Sequence, residues 1–227
     1  MYDIDAIALQ YGFYNLYHSQ EESCVMFVEI GYLHATVFVV QYHGNDIRIL
    51  YCQPIEGCSG RDFDKKLTDM VYERLSQNDK ITISEDKFTP RDRMSILSQC
   101  EKVKPFLGVN GLPDHDIKVT IHSRDVTVNF TTAQFNAQAE PIMRCLKKAC
   151  KNCLRVMYQQ YQDELKEADK PDIVSPIPKP KLKPITTIVL EGSSARFQCV
   201  MNAMRQVVRE FTNHELNPSE KVRIDIK

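Results

Sequence analysis

Cys24-Val-Met-Phe-Val-Glu29-Ile-Gly31-Tyr32-Leu-His34-Ala-Thr-Val-Phe-Val-Val-Gln41 is the stretch on which the fold turns. Two β-branched, apolar runs flank a single glycine, Gly31. Val, Ile and Phe fit a pleated, half-buried surface, and a glycine between two such runs reads as the turn of a hairpin. The first strand should end at Glu29–Ile30 and the second should begin near His34. A turn that sets an acidic residue beside a glycine suits a phosphate, because glycine lets backbone N–H groups approach one. An ordinary core hairpin accounts for the same residues.

Outward from the hairpin, the chain alternates strands and helices. Residues 3–17 read as a short helix with Asp3 as cap, Ile4, Ile7, Ala8 and Tyr11 on one face, and Gly12 weakening or ending it. A turn at His43-Gly44-Asn45-Asp46 leads to a third strand, 47–53, so the opening third is an antiparallel meander. A helix from Asp62 to about Gln77 carries the stripe Phe63, Leu67, Met70, Val71 and Leu75, with acids in its first turn. Residues 79–89 are polar and irregular, with Ile81-Thr82-Ile83 as an edge segment. Pro90 suits the first position of a helix that runs to about Leu107. Met94, Ile96, Leu97, Cys100, Val103 and Lys104 give it one apolar face and one charged face, and Pro105 disturbs its last turn. Residues 116–121 and 125–131 form a second hairpin. Thr131 or Thr132 caps a helix to about 167 that should break near Glu140, because Pro141 lies inside it.

The stretch 168–184 is rich in Pro and Lys and reads as an extended linker. A strand at 185–190, a turn at Glu191-Gly192-Ser193-Ser194 and a helix over 195–211 follow. Asn217-Pro218 is a turn, and 222–226 is strand-like.

Composition narrows the classes of function. The chain has 227 residues, 43% hydrophobic and 26% charged, which is long enough for a real core without disulfides. A net charge of −1 argues against a dedicated nucleic-acid binder. No apolar run reaches the ~20 residues of a membrane span. The first ten residues are mixed and do not read as an export segment. The eight cysteines are therefore expected to be reduced thiols in a cytoplasmic protein.

Few motifs carry chemistry on their own. Cys145, Cys150 and Cys153 have a metal-like spacing, but one continuous helix spreads them over a wide arc and no fourth ligand is near, so no metal is expected. No Gly-x-Ser-x-Gly and no Gly-x-x-x-x-Gly-Lys occurs. The basic cluster at 147–155 reads as a solvated helix face. Lys104 either reaches a ligand or snorkels. Gly192, Ser193 and Ser194 lie where a strand hands over to a helix, a place that receives phosphate or ribose in some proteins and is a plain capped turn in others.

The ordered set of pieces resembles the second lobe of the nucleotide-binding domain of the seventy-kilodalton heat-shock chaperones, and more closely their 110-kilodalton exchange-factor branch. Ala6-Ile-Ala-Leu-Gln-Tyr11-Gly12 resembles the family's Ala-Ala-Ala-x-Ala-Tyr-Gly helix, and residues 27–40 its second phosphate hairpin. Ser59-Gly-Arg-Asp-Phe-Asp64 resembles Gly-Gly-x-Asp-Phe-Asp. Cys100-Glu-Lys-Val-Lys104 resembles the adenine-side helix. Residues 188–196 resemble the adenosine turn, and Leu216-Asn-Pro-Ser-Glu220 resembles Asn-Pro-Asp-Glu. There are departures. The family's Asp-x-Gly-Gly-Gly-Thr is here Glu29-Ile30-Gly31-Tyr32-Leu33-His34. Ser193 stands for a second Gly, Pro105 for an Arg, Gly108 for a Ser and Ser219 for an Asp.

The resemblance implies an α/β (α+β) fold of the actin-like ATPase type. Residues 1–58 and 132–227 would form the base, 59–131 a smaller cap, and 168–184 an inserted loop. It implies that ATP or ADP, if held, is held weakly through Gly31, Glu101, Lys104, Gly192, Ser193 and Arg196, with no catalytic residue and no metal. The family's first lobe is absent, so no hydrolysis is expected from this chain alone. The lack of a strand before Asp3 favours a piece of a longer protein. The implied role is a heat-shock-like module acting as co-chaperone or nucleotide exchange factor. Its contacts would be with a seventy-kilodalton chaperone or a client, and not with nucleic acid or membrane. Two alternatives stand beside it: a lobe of an ATP-hydrolysing chaperone that needs the missing first lobe, and a pseudo-ATPase scaffold.

Overall fold

The computed structural model describes residues 3–16, 22–44, 46–77, 88–108, 114–121, 124–168, 182–215 and 222–226. The hairpin is present as read. β1 (Ser23–Ile30) and β2 (Ala35–His43) pair antiparallel with Ile30 opposite Ala35, and β3 (Asp46–Pro54) pairs antiparallel with β2. Among the described residues, β4 (Asp114–Ile121) and β5 (Arg124–Thr131) form a second, two-stranded sheet. β6 (Ile185–Glu191) lies parallel to β1 on its other side, and β7 (Arg223–Ile226) lies parallel to β6. The order in the larger sheet is β3-β2-β1-β6-β7.

The continuous apolar run of β1 follows from burial on both faces, the pattern expected of a central strand. Cys24, Met26, Val28 and Ile30 belong to the large core, whereas Val25 and Phe27 face a smaller cluster under α1 (Asp3–Tyr11). There Tyr11 meets Phe27 edge-on at 5.2 Å, Phe27 stacks on Phe38 at 4.8 Å, and the Tyr42 hydroxyl donates to the Ala8 carbonyl at 2.9 Å. Gly12 ends the regular helix, and residues 12–16 widen into a π-helical turn.

Caps fix the next helices. Ser59 and Asp62 form a reciprocal capping box at α2 (Gly60–Ser76), whose stripe of Phe63, Leu67, Met70, Val71 and Leu75 is buried. Thr89 and Asp92 do the same for α3 (Pro90–Gly108), with Pro90 at its first position. Pro105 lies inside α3, which continues to Gly108. Thr131 and Gln134 cap α4 (Thr132–Gln138), and the break expected near Glu140 separates it from α5 (Glu140–Ala168).

Two expectations are corrected. Met94 is 66% exposed, because the packed side of α3 runs through Ile96, Cys100, Val103 and Leu107 instead. No helix starts at 195: residues 193–196 form a 3-10 turn with no side-chain cap, Phe197 is extended, and α6 begins at Gln198 and runs to Glu215. Most of 79–89 with the Ile81–Ile83 edge segment, nearly all of the 168–184 insert and the Asn217-Pro218 turn lie outside the described residues.

Candidate functional site

β1 and β6 run parallel with Glu29 beside Glu191, so the turns that leave them emerge side by side at their carboxyl ends. In open α/β sheets this is where ligands bind. Gly192 has φ +98°, and a Cβ there would stand 2.3 Å from the Ile30 carbonyl oxygen, so the two turns touch through backbone. Only glycine meets both demands. The third wall is the start of α2. A Cβ on Gly60 would meet Ser194 Oγ at 3.2 Å, Tyr32 Cα at 3.3 Å and the Gly31 carbonyl at 3.4 Å. The Gly60 and Arg61 N–H groups donate to the carbonyls of Gly31 and Tyr32, both at 2.8 Å. The C-terminal end of α3 packs beneath the turn that follows β6, where the buried Phe197 ring lies 2.4 Å from where a Cβ on Gly108 would be.

Gly31 and Gly192 thus share one rim, and Ser193 and Arg196, both exposed, follow on the same turn. Glu101 and Lys104 reach this rim from α3, but through protein partners. The Tyr32 hydroxyl donates to Glu101 Oε1 at 2.9 Å, and the Lys104 ammonium lies 5.8 Å from the centre of the Tyr32 ring. Lys104 donates to Asp64 Oδ2 at 2.7 Å and to the Gly60 carbonyl at 3.0 Å. Its side chain is 11% exposed and that of Asp64 is 1% exposed. The Gly31 N–H, which suits a phosphate by sequence, donates to the His34 carbonyl at 2.9 Å and closes its own turn. Lys104 is therefore neither a free ligand nor a snorkelling surface residue. It is half of a buried ion pair.

The electrostatics are those of a partly dry carboxylate cluster. Burial pushes the Glu29 carboxyl above its ordinary range. His34, at 3.9 Å, pulls it back, while Asp3 and Glu191 push the same way as burial. Burial also raises Asp64, more than the Lys104 ammonium lowers it. The bond to Glu101 is the main cause that raises the Tyr32 hydroxyl. Two participants are not site candidates by sequence. Asp64 does carry a signal, as the last residue of the Asp-Phe-Asp match near the start of α2. Tyr32 reads only as a replaced glycine, and its reach to α3 has no local signature.

The thiols with metal-like spacing diverge: Cys145 is exposed, while Cys150 and Cys153 are buried. Burial raises Cys153 and Cys150 well above the ordinary thiol range.

The sequence model of a family described as "Hsp70 protein" matches residues 1–168. Among individual proteins, the chain is similar to "Heat shock protein hsp88" of Neurospora crassa, 28% identical over 120 residues, 52% of this chain and 16% of that protein. It is similar to a "Heat shock protein homolog" of Saccharomyces cerevisiae, 22% identical over 233 residues, 95% of this chain and 33% of that protein. It is also similar to "Heat shock 70 kDa protein 14" of Arabidopsis thaliana, 24% identical over 155 residues, 68% of this chain and 18% of that protein. The chain spans between 16% and 33% of the length of these three relatives.

Proposed function

Because this chain belongs to the Hsp70 protein family and its mixed sheet and helices fit an actin-like ATPase lobe, we propose that it is a second-lobe module whose nucleotide cleft is closed by its own side chains. It works through protein contacts, as a co-chaperone or nucleotide exchange factor. The observation that carries this reading is the engagement of Lys104 by Asp64 and Gly60, with Tyr32 laid across to Glu101. A buried ammonium with a carboxylate at 2.7 Å gains little by turning to a ligand and leaves a bare buried charge if it does.

The residues present do not fit the phosphates of a nucleotide. The Gly31 N–H closes its own turn, and Tyr32 and Leu33 carry side chains where the family has glycines. Ser193 and Arg196 keep a surface for an adenosine group, so ADP or ATP contact would be weak and would not lead to transfer. The partner is a seventy-kilodalton chaperone or its client, in the cytoplasm, and residues 59–131 form a smaller cap. Nucleic acid and membrane are not its targets; among the described residues no helix is long and apolar enough to cross a membrane.

Release of a fluorescent ADP analogue from a purified seventy-kilodalton chaperone tests the role. The chain should bind that chaperone and speed the release. Binding without faster release would point to a scaffold, and no binding would remove the chaperone partner.

One observation favours the second reading, a lobe of a hydrolysing chaperone completed by another lobe. Gly31 and Gly192 remain side by side at the carboxyl ends of parallel strands. ATP turnover on adding a first lobe from a relative would establish it.

A further inference from the structure

Away from the cleft, a groove of about 900 Å³ runs between the end of β3 and the outer face of α5. Residues 53–56 form one wall. Arg144, Lys147, Lys148, Lys151 and Arg155 line the other, at spacings that keep them on one side of the helix. Buried Ile55 and Ala149 supply an apolar floor. Asn152 ties the walls together, donating to the Tyr51 hydroxyl at 3.2 Å and to Gln53 Oε1 at 3.4 Å.

Charge in the groove is unbalanced. Lys147 faces Glu140 at 3.3 Å, and Lys151 pairs with Glu210. Arg144, Lys148 and Arg155 are exposed and have no carboxylate partner among the described residues. Among the described residues the one acid in the lining is Glu56. This excess of positive charge sits on a chain whose net charge is −1, so it is local and not a consequence of a basic composition. A concave wall with one sign of charge concentrates ligands of the other sign. Two of the three unpaired cations are guanidinium groups, whose planar fork matches a carboxylate in two-point contact.

We propose that this groove is a docking site for an acidic, extended segment of a partner protein. Carboxylates of the segment would meet Arg144, Lys148 and Arg155, and apolar side chains between them would rest on Ile55 and Ala149. The apolar floor and the lack of an aromatic platform in the lining favour a peptide over a single-stranded nucleic acid, which binds by stacking as well as by charge. The site is independent of the nucleotide cleft and of the function proposed there.

The test uses the full chain and a fluorescein-labelled peptide of four Glu-Glu-Leu repeats, followed by anisotropy. A Gln-Gln-Leu peptide is the neutral control, and an oligo-dT of similar length is the competitor. The acidic peptide should bind, the neutral one should bind at least about tenfold more weakly, and raising salt from about 50 to 300 mM should weaken binding severalfold. The triple variant R144E/K148E/R155E should lose binding by about tenfold or more, with melting checked by circular dichroism. Glu56→Lys, a surface change in the opposite direction, should tighten binding, which keeps the proposal testable if the triple variant does not fold. Equal binding of both peptides, no effect of Glu56→Lys, or displacement by oligo-dT at lower concentration than by unlabelled acidic peptide would overturn it.

Discussion

The Tyr32 hydroxyl donates a 2.9 Å hydrogen bond to Glu101 Oε1 across 69 residues of chain, joining the turn after β1 to the helix α3. Beneath this bridge lies the Lys104–Asp64 pair. The two contacts differ in weight. The bridge is exposed, so water competes for both of its ends and it contributes little to stability. The pair is buried, and removing one partner strands the other.

Tyr32→Ala should therefore leave stability nearly unchanged, while it frees Glu101. If the tyrosine is what covers the cleft, the variant should gain a rise in melting temperature with Mg-ADP that the parent lacks. Tyr32→Phe, which keeps the ring and loses the bond, should fall between them. Equal behaviour of parent and Tyr32→Ala would remove Tyr32 from the account.

Lys104→Met or Asp64→Asn alone should lower unfolding free energy by about 3–5 kcal/mol in a urea titration. The double replacement with Met and Leu should recover most of that loss, because a packed apolar pair avoids the desolvation of two charges. Additive losses in the double variant would mean that the two residues do not act as a pair.

Gly192→Ala places a methyl 2.3 Å from the Ile30 carbonyl oxygen at a φ of +98°. Strain of this sort costs about 1–3 kcal/mol before the clash is counted. At about 2–4 °C per kcal/mol, the melting temperature should fall by roughly 5–10 °C. Gly31→Ala should cost less. Its nearest neighbour is the movable tip of Glu29, at 2.6 Å, and its φ lies outside the left-handed range.

Glu29→Gln should stabilise the protein at neutral pH. The Glu29 carboxyl is raised in the folded state, first by burial, so the folded protein holds its proton more tightly than the unfolded chain does. Stability attached to this group is present at low pH and lost as pH rises from about 4.3, the ordinary value, through the raised one. The advantage of glutamine should be full at pH 7 and disappear below about pH 4 in parallel thermal melts. A constant advantage at all pH values would mean that charge is not its source.

The sheet is legible in the sequence because its signals are local. Two apolar runs about Gly31 mark the ends of β1 and β2 at the turn to within a residue, and Thr131 and Pro141 mark where α4 starts and where α5 takes over. The site is legible only in part. Spacing leaves Lys104 either reaching a ligand or snorkelling and does not say that Asp64, 40 residues earlier, will meet it. Tyr32 reads as a lost glycine, and its partner Glu101 lies far along the chain. The 3-10 turn at 193–196 is hidden because two serines after a glycine look like an N-cap, whereas Ser194 is turned inward to the wall at Gly60. Met94 reads as packed because a helix with apolar residues at 94, 96, 97 and 100 admits two faces, and only tertiary packing chooses one.

The central claim is that this family member's nucleotide cleft is closed by its own residues. It is tested most directly by melting the unmodified chain with and without about 5 mM Mg-ATP, and likewise with Mg-ADP. A site with a Kd of about 0.1 mM would stabilise the protein by about 2.3 kcal/mol under those conditions. The account predicts curves for all three samples that agree to within about 1 °C, since contact as weak as a Kd of several mM adds only a few tenths of a kcal/mol. A rise of several degrees with either nucleotide would contradict it.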